Sequence, residues 1–291
     1  MTVVLLTGAA GQLGQDLLRT PWADDTRLVA RSRAELDIAD GDAVGRDLDA
    51  VNPDVIVNAA AYTNVDRAEA EPEVAHAINA DGVGHLARWA DVNDARLVHV
   101  STDYVFDGTK DGWYDESDPI APLGAYGRSK AAGEDQARLA GRHVILRTAW
   151  VYGAHGHNFV RTMLRLAAER EELNVVGDQR GCPSATADLA SAIVTLAQQS
   201  RDGETSGTYH LASPTEASWH EFASAILAPQ IAAGLEVRPI TTDQYPTPAA
   251  RPANSRLDST ALAAAADVQL RPWADALSEV LAELTATGKE T

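Results

Sequence analysis

The sequence predicts an α/β fold, a doubly wound parallel sheet followed by a smaller C-terminal lobe. Short apolar runs rich in valine, isoleucine and leucine alternate with alanine-rich segments of helical spacing over the first half of the chain. Runs that are apolar throughout are typical of strands buried on both faces of a parallel sheet. Strands that alternate with helices form right-handed β-α-β units. After residue 150 this rhythm changes, which indicates the second lobe.

The elements of the first lobe can be placed in order. The opening stretch "TVVLLTGAAGQLGQDLLRT" predicts a strand, a glycine-rich turn and a helix. The strands of the sheet are predicted over residues 3–6, 27–31, 53–60, 95–106 and 142–153, with helices over residues 73–92 and 125–141. Together these elements make up a first domain, residues 1–150.

Residues 151–291 mostly form the smaller lobe, which we expect to lie over the carboxyl edge of the sheet. We predict a helix over residues 158–170, a strand and loop over 173–184 and a strand over 207–213. A helix over residues 185–200 is expected to return to the first domain. Residues 245–258 contain too many prolines for regular structure, and such loops are often functional.

Composition bounds the function. The chain has 291 residues, 45% of them hydrophobic, enough for one large core or two smaller ones. A net charge of −18 argues against nucleic acids and anionic membranes as partners, but a helix N-terminus can still bind a phosphate-bearing small ligand. The single cysteine, Cys182, suits a reducing compartment. Without a long apolar run, we expect a soluble cytoplasmic protein.

Three glycines follow the first strand directly. Gly8, Gly11 and Gly14 lie where a dinucleotide fingerprint occurs, at the first strand-to-helix turn. Gly8 and Gly11 would let the backbone approach a pyrophosphate, whose charge the N–H groups of the helix start would face. Gly14 would let the helix pack close to the strand. Although a tight turn without a ligand is the alternative, we predict a Rossmann-type dinucleotide-binding domain.

The end of the second strand bears on the choice of cofactor. A carboxylate there would bind a ribose 2′-hydroxyl and repel a 2′-phosphate. The chain instead has Arg31 and Arg33, with no acid before Glu35. This favours NADPH over NADH, with Arg31 as a candidate ligand, unless both arginines are solvated surface residues. Asp37 and the neighbouring Ile38 are expected to approach the adenine.

A hydroxyl, a tyrosine and a lysine are predicted to meet at the carboxyl edge of the sheet. Ser101, Thr102 and Asp103 come at the end of the fourth strand, where a doubly wound sheet binds its ligands. Tyr126 and Lys130 are four residues apart, so they share one face of the next helix. The spacing alone occurs by chance in many helices. A nearby ammonium lowers the pKa of a tyrosine, which is ordinarily about 10, and so prepares it for proton transfer.

These stretches resemble the extended short-chain dehydrogenase/reductases, and among them the reductases of nucleotide-linked 4-keto sugars. The resemblance covers nearly the whole chain. It is carried by "TGAAGQLG", "PDVIVNAAAYTNVDRAE", "STDYVFDG", "YGRSK", "RTAWVYG", "NFVRTML" and "RPANSRLD". It implies reduction of the 4-keto group of a dTDP-linked 6-deoxy sugar by NADPH or NADH.

The resemblance also implies roles for individual residues. Tyr126 would donate the proton, Lys130 would hold the nicotinamide ribose, and Thr102 would bind the reacting carbonyl. Asp103 would support the substrate. The further cofactor-binding residues that it implies are Gln12, Leu13, Ala59, Ala60 and Thr63. Asn79 matches a helix position that shapes the proton path or the strand geometry.

The substrate lobe supplies further candidates. By resemblance, Trp150 forms a wall against the sugar ring, although a core aromatic is the alternative. Arg251 and Arg256 are suited to clamp a pyrophosphate, with Asn254 in support, because guanidinium groups bind phosphates bidentately. Surface salt bridges are the alternative for both arginines.

Differences within the family narrow the reaction. The related dehydratases carry Thr-Asp-Glu, whereas this chain has Thr102, Asp103 and Tyr104 and so lacks the glutamate for water elimination. A reductase of an antibiotic sugar pathway, of the dihydrostreptose type, and a non-catalytic NADP-binding regulatory subunit remain alternatives.

Some members of the family hold a divalent metal at a dimer contact. Asp16 corresponds to one ligand, but Ala187 stands where a second is wanted. We therefore predict no Mg²⁺ site. A homodimer is an open expectation.

Overall fold

The structure is a computed structural model, which describes residues 1–199, 203, 205–286 and 288. Its strands are β1 (Thr2–Thr7), β2 (Thr26–Arg31), β3 (Val55–Asn58), β4 (Arg96–Thr102), β5 (His143–Thr148), β6 (Val151–Tyr152), β7 (Glu172–Val176), β8 (Arg180–Gly181), β9 (Ser184–Ala185), β10 (Gly207–His210), β11 (Ala217–Ser218), β12 (Glu236–Ile240) and β13 (Asn254–Ser255). Its helices are α1 (Gln12–Arg19), α2 (Gly41–Val51), α3 (Val65–Ala70), α4 (Pro72–His76), α5 (Gly82–Val92), α6 (Ala125–Ala137), α7 (Phe159–Glu169), α8 (Thr186–Ala197), α9 (Trp219–Ile226), α10 (Ala228–Ala232), α11 (Thr260–Ala266) and α12 (Trp273–Ala286).

The central sheet confirms the predicted fold class. Within the described residues it has six strands in the order β10-β5-β4-β3-β1-β2, and every neighbouring pair is parallel. The order changes direction beside β1, where β2 and β3 lie on opposite sides of it. A crevice for a ligand opens at such a point, beyond the carboxyl ends of the strands.

Alternating side chains of the strands form two hydrophobic layers. Val4 and Leu6 of β1 pack in one cluster with Leu17 of α1 and Ile193 of α8. Leu5 points to the opposite face, because successive strand residues alternate, and packs in a cluster with residues of α2 and α5. Helices therefore cover both faces of the sheet.

Three predicted elements are interrupted in the structure. The helix predicted over residues 73–92 contains a π-helical turn, Ala77–Asp81, between α4 and α5. The strand predicted over 95–106 ends at Thr102, whose side chain accepts a hydrogen bond from the Tyr104 N–H and begins a 3₁₀ turn. The strand predicted over 142–153 breaks at Trp150, which has a left-handed φ of 47°.

The C-terminal lobe has small sheets and its own core. Strand β7 pairs with β12, and β11, β8 and β13 form a three-stranded sheet. Tyr152, Leu173, Phe222 and Leu277 belong to the core of this lobe. Two-residue strands such as β13 carry little local signal, which is why the proline-rich residues 245–258 gave no prediction of one.

Two segments after residue 150 belong to the packing of the central sheet. Strand β10 lies beside β5 and extends the sheet by one strand. Helix α8 packs against α1 in the same cluster as β1. The assignment of the helix predicted over 185–200 to the first domain stays a prediction, and residue 200 lies outside the described residues. The division at residue 150 stays a prediction. Among the described helices, none has the length and apolar character needed to cross a membrane.

A buried ion pair fixes α6 to the sheet. The Glu134 carboxylate accepts hydrogen bonds from Ser101 Oγ at 2.7 Å and from Arg147 Nε and Nη2 at 2.9 and 2.8 Å. Arg138 Nη2 lies 3.0 Å from the same carboxylate. Burial, the largest single effect, raises the pKa of Glu134, but the hydrogen bonds and charge of Arg147, together with Ser101 and Arg138, outweigh it and hold that pKa below its ordinary value. The glutamate is therefore ionised at neutral pH.

We expect Arg147→Met to lower the free energy of unfolding by about 3–5 kcal/mol, because it leaves a buried carboxylate without its main partner. The measurement is urea unfolding at neutral pH. Arg165→Met is the control: Arg165 pairs with Glu169 on the exposed surface of α7, so its loss should cost less than about 1 kcal/mol. Equal losses in the two variants would contradict a structural role for the buried pair.

Candidate active site

The glycine turn brings the start of α1 close to the carboxyl ends of β1 and β3. Gly8 has a φ of +75°, and a Cβ there would lie 2.5 Å from the Ala60 backbone nitrogen. A Cβ on Gly14 would lie 2.2 Å from the Gly8 carbonyl oxygen. Gly11 precedes α1, and no side chain caps the helix at this residue. The N–H groups of the first turn are therefore available to an anion.

A cavity of about 610 Å³ lies along this edge of the sheet. Most residues predicted to bind the cofactor line it, together with all three predicted catalytic residues. The predicted residues that line the cavity are Gly8, Gly11, Gln12, Leu13, Gly14, Asp37, Ile38, Ala59, Ala60, Thr63, Thr102, Asp103, Tyr126, Lys130 and Trp150. Its size and polar edge are those of a small-molecule site.

Thr102, Tyr126 and Lys130 meet in the cavity. The Thr102 side chain lies close enough to the Tyr126 phenol to favour its charged form. Lys130 lies one helical turn further along α6, and its ammonium donates to the Val100 carbonyl oxygen at 2.7 Å. Thr102 Oγ1 also donates to Asp103 Oδ1 at 2.9 Å. A hydroxyl, a phenol and an ammonium thus line the cavity together at the end of β4.

Burial controls the protonation of this group. It raises the pKa of Tyr126 to about 12, with the Thr102 hydrogen bond acting in the opposite direction. It lowers the pKa of Lys130 to about 8, against the attraction of Glu134. In the protein alone, burial therefore outweighs any lowering of the Tyr126 pKa by Lys130. The tyrosine instead keeps its proton, as a proton donor must.

Asp103 is a second titratable group of the cavity. Burial raises the pKa of this carboxyl to about 6, while its interactions with Ser255 and then Thr102 act in the opposite direction. Its Oδ2 atom is buried and makes no hydrogen bond of close geometry among the described residues. Because buried acceptors without partners are rare, this oxygen points to a ligand that donates a hydrogen bond.

Two further cavity residues carry buried polar atoms without partners in the described part of the chain, Gln12 Oε1 and Thr148 Oγ1. Thr148 was not among the predicted site residues. It ends β5 and lies directly beside Thr102 in the parallel register. The sequence signal was present, since the side chain after an apolar strand reaches the same edge, but it did not distinguish Thr148 from other strand ends.

Arg31, the last residue of β2, and Arg33, which follows the strand, have different surroundings. Arg31 does not line the cavity, because its Nη2 atom lies 2.9 Å from an oxygen of Asp47 on α2. Arg33 does line the cavity. Its side chain is 70% exposed and lies 3.5 Å from Asp37. Of the two, Arg33 is therefore placed to meet a charged group of a ligand.

The arginines and the asparagine of the proline-rich segment lie outside the cavity lining. Arg251 binds both oxygens of Asp66, at 3.0 and 2.8 Å. Arg256 Nη1 donates to Glu216 at 2.7 Å. Asn254 donates to two backbone carbonyls and accepts from Arg256, which favours a structural part for its amide. These contacts correspond to the alternative of salt bridges for the free protein.

The residues around Asp16 do not fit a bound divalent metal. The guanidinium of Arg19 lies 3.9 Å from Asp16 and 2.7 Å from Glu283, so it already balances these carboxylates. Ala187 offers no ligand. Across residues 1–199, 203, 205–286 and 288, no group of three or more His, Cys, Asp and Glu side chains could hold a metal ion.

The remaining candidates have structural surroundings. Asn79, in the π-helical turn, donates to Ser129 Oγ at 2.9 Å and exchanges hydrogen bonds with the backbone of Tyr62. It therefore holds α6 at the level of the helix turn that begins with Tyr126. Cys182 is a buried free thiol, and burial raises its pKa to about 12, so it is no nucleophile at neutral pH.

Comparison with known proteins agrees with this geometry. Residues 1–286 match the sequence model of the RmlD substrate binding domain. The dTDP-4-dehydrorhamnose reductase of Aggregatibacter actinomycetemcomitans is 45% identical over 97% of this chain and 99% of its own. The crystal structure of the Bacillus anthracis dTDP-4-dehydrorhamnose reductase in complex with NADP superposes with a TM-score of 0.90 at 38% identity, over 97% of this chain and 100% of the relative.

The Clostridium acetobutylicum dTDP-4-dehydrorhamnose reductase superposes with a TM-score of 0.92 at 36% identity, and the match covers 98% of this chain and 100% of the relative. Both the family match and these relatives extend over nearly the full length. The sequence, the fold and the cavity thus lead to one assignment: the chain belongs to the RmlD family, the family of the dTDP-4-dehydrorhamnose reductases.

Proposed function

We propose that the chain reduces the 4-keto group of dTDP-4-dehydro-L-rhamnose to give dTDP-L-rhamnose, with NADPH as the reductant. The observation that carries the proposal is the meeting of Thr102, Tyr126 and Lys130 beside the glycine turn, in one cavity. It occurs in a chain that is 45% identical to a dTDP-4-dehydrorhamnose reductase over nearly its whole length.

The cavity fits a dinucleotide. The missing Cβ of Gly8 lets the turn pack against the backbone at Ala59 and Ala60, and a pyrophosphate would lie at the start of α1, where no side chain caps the helix. Lys130 is buried with its charge at the edge of the cavity and would hold the nicotinamide ribose. Arg33 is the candidate for the 2′-phosphate, a role that we had predicted for Arg31. When bound, NADPH supplies the hydride.

The proton comes from the protein. Tyr126 is protonated at neutral pH, because its pKa is about 12, and would donate its proton to the carbonyl oxygen as that oxygen gains charge. Thr102, which lies beside Tyr126 in the cavity, would orient the same oxygen. Lys130 would then stabilise the phenolate that remains, since an ammonium favours the charged form of its neighbour.

Asp103 and Tyr104 support reduction over elimination of water. The unpartnered Oδ2 of Asp103 would accept a hydrogen bond from a sugar hydroxyl. At the next position, Tyr104 packs edge-on against Tyr126 with 5.5 Å between the ring centroids. Burial raises the pKa of Tyr104, so it cannot serve as the base that the glutamate of the related dehydratases provides.

The diphosphate of the substrate would lie near the proline-rich segment. Arg251, which pairs bidentately with Asp66, stays our candidate ligand, because a diphosphate could replace that carboxylate. A cytoplasmic location is also part of the proposal, and the lone thiol of Cys182 supports a reducing compartment. The homodimer stays a prediction.

The test of function is NADPH consumption with the 4-keto sugar made in place from dTDP-glucose by a dehydratase and an epimerase. Consumption should require the epimerase, and Tyr126→Phe should lower kcat by a factor of about 10²–10⁴ with NADPH affinity retained. Tyr209→Phe is the matched control, because this tyrosine of the edge strand β10 donates to the Ser206 carbonyl and does not line the cavity. Full activity of the Tyr126 variant would exclude the proposed proton donor.

Lys130 should make cofactor binding depend on pH. Burial lowers the pKa of its ammonium to about 8, so the free protein loses this charge as the pH rises through 8. A bound anionic cofactor favours the charged form, and NADPH affinity should therefore fall between pH 7 and 9.5. Equilibrium titration by cofactor fluorescence measures it. Lys130→Met should bind weakly at every pH in this range, and a pH dependence retained in that variant would show that another group titrates.

The glycine turn allows a test of cofactor placement. Gly11→Ala should weaken NADPH binding about tenfold or more, because its methyl group would enter the space for the pyrophosphate. The fold should tolerate it, since the nearest atom to the new Cβ is the Gly8 carbonyl oxygen at 3.2 Å. Gly45→Ala on α2 is the control, as nothing lies within 4 Å of its Cβ. Unchanged affinity in the Gly11 variant would place the pyrophosphate elsewhere.

A further inference from the structure

Trp150 is held in a backbone conformation that few bulky residues adopt. It lies between β5 and β6 and lines the cavity. Its φ of 47° is in the left-handed region, which is strained for a residue with a large side chain. Such a conformation persists only where the surrounding structure supports it, and it is often found at functional sites.

The support comes from two residues of the C-terminal lobe. The indole of Trp219 stacks face to face on that of Trp150, with 3.5 Å between the centroids and 4° between the planes. Gly181 leaves room for the Trp150 indole, because a Cβ on this glycine would lie 2.3 Å from Cε2 of the tryptophan. The separation of the indoles is a van der Waals contact, so neither ring can move toward the other.

Trp219 is itself fixed by several contacts. It is the first residue of α9, which begins with a capping box formed by Ser218 and Glu221. Its indole N–H donates to Gln179 Oε1 at 3.2 Å. The Phe159 ring also packs against this indole, with 4.6 Å between the ring centroids.

The small sheet joins these supports. Ala217 and Ser218, which precede the tryptophan in β11, pair with Gly181 and Arg180 of β8. The two strands therefore hold Trp219 and Gly181 at a constant separation, and the Trp150 indole lies against both.

Trp219 is absent from the described lining of the cavity, whereas Trp150 is part of it. We propose that Trp219 is a positioning residue for substrate: by stacking on Trp150, it sets the place of the indole that contacts the sugar. This inference rests on the proposed function, because it takes the sugar nucleotide as the ligand that meets Trp150.

The test uses Trp219→Leu in the full-length enzyme. The KM for the 4-keto sugar and the Kd for dTDP-glucose, measured with NADP⁺ present, should both rise about three- to tenfold, the range expected for the loss of an aromatic stack. The kcat and the Kd for NADPH should change less than about twofold. A general loss of structure would instead weaken NADPH binding too, and Trp219→Phe, which keeps an aromatic face, should restore most of the sugar affinity.

Two further variants keep the test decisive. Gly181→Ala should give the same rise in KM and Kd, because the methyl group displaces the Trp150 indole without removing Trp219, and it decides the matter if Trp219→Leu does not fold. Trp89→Leu is the matched control: this partly buried indole on α5 bonds to Asp49 and should leave all four constants unchanged.

The outcomes separate the two proposals. A folded Trp219→Leu enzyme with wild-type KM and Kd for the sugar nucleotides overturns the positioning role and leaves the reductase assignment intact. A wild-type enzyme that neither consumes NADPH with the 4-keto sugar nor binds dTDP-glucose overturns the proposed function, and the positioning role falls with it.

Discussion

The arrangement of the site depends on the buried ion pair between Glu134 and Arg147. The glutamate also accepts a hydrogen bond from Ser101. It lies one helical turn after Lys130, which in turn lies one turn after Tyr126, so the three side chains share a face of α6. Because Glu134 binds Ser101 of β4 and Arg147 of β5, it fixes the rotation of the helix against the two strands. The position of the tyrosine and the lysine relative to the end of β4 is thus set by an ion pair at the far end of the same face.

Burial shifts the pKa values of Tyr126 and Lys130 in opposite directions. It disfavours the phenolate of Tyr126 and the ammonium of Lys130 alike, since charged forms lose their hydration. In the proposed reaction, Tyr126 would therefore act as an acid, and a bound anion would restore the charge of Lys130. The tyrosine would donate its proton as negative charge develops on a substrate oxygen beside it.

Local pattern was enough to predict the sheet, the glycine turn and the Tyr126–Lys130 pair, because each depends on strand or helix periodicity within a few residues. What it could not predict depends on distant partners. Asp47 on α2 occupies Arg31 and leaves Arg33 for the cavity, and no pattern near residue 31 shows this. Thr148 becomes a candidate site residue only through its pairing with Thr102 of β4, which lies far from it in the sequence. The two-residue strands of the small lobe exist only through their tertiary neighbours, and the pKa of a buried phenol follows from burial that a sequence does not display.

The π-helical turn at Ala77–Asp81 determines how closely α6 can pack beside the site. The hydrogen bond of a π-turn spans one residue more than that of an α-turn. Each residue of a helix corresponds to a rotation of about 100° around the axis, so one residue more changes which side chains face α6. The extra residue presents Asn79 to Ser129, while α6 comes so close that a Cβ on Gly133 would lie 2.0 Å from the Asn79 carbonyl oxygen. A side chain at position 133 would therefore collide with the irregular turn, so the present form of the turn requires a glycine opposite it.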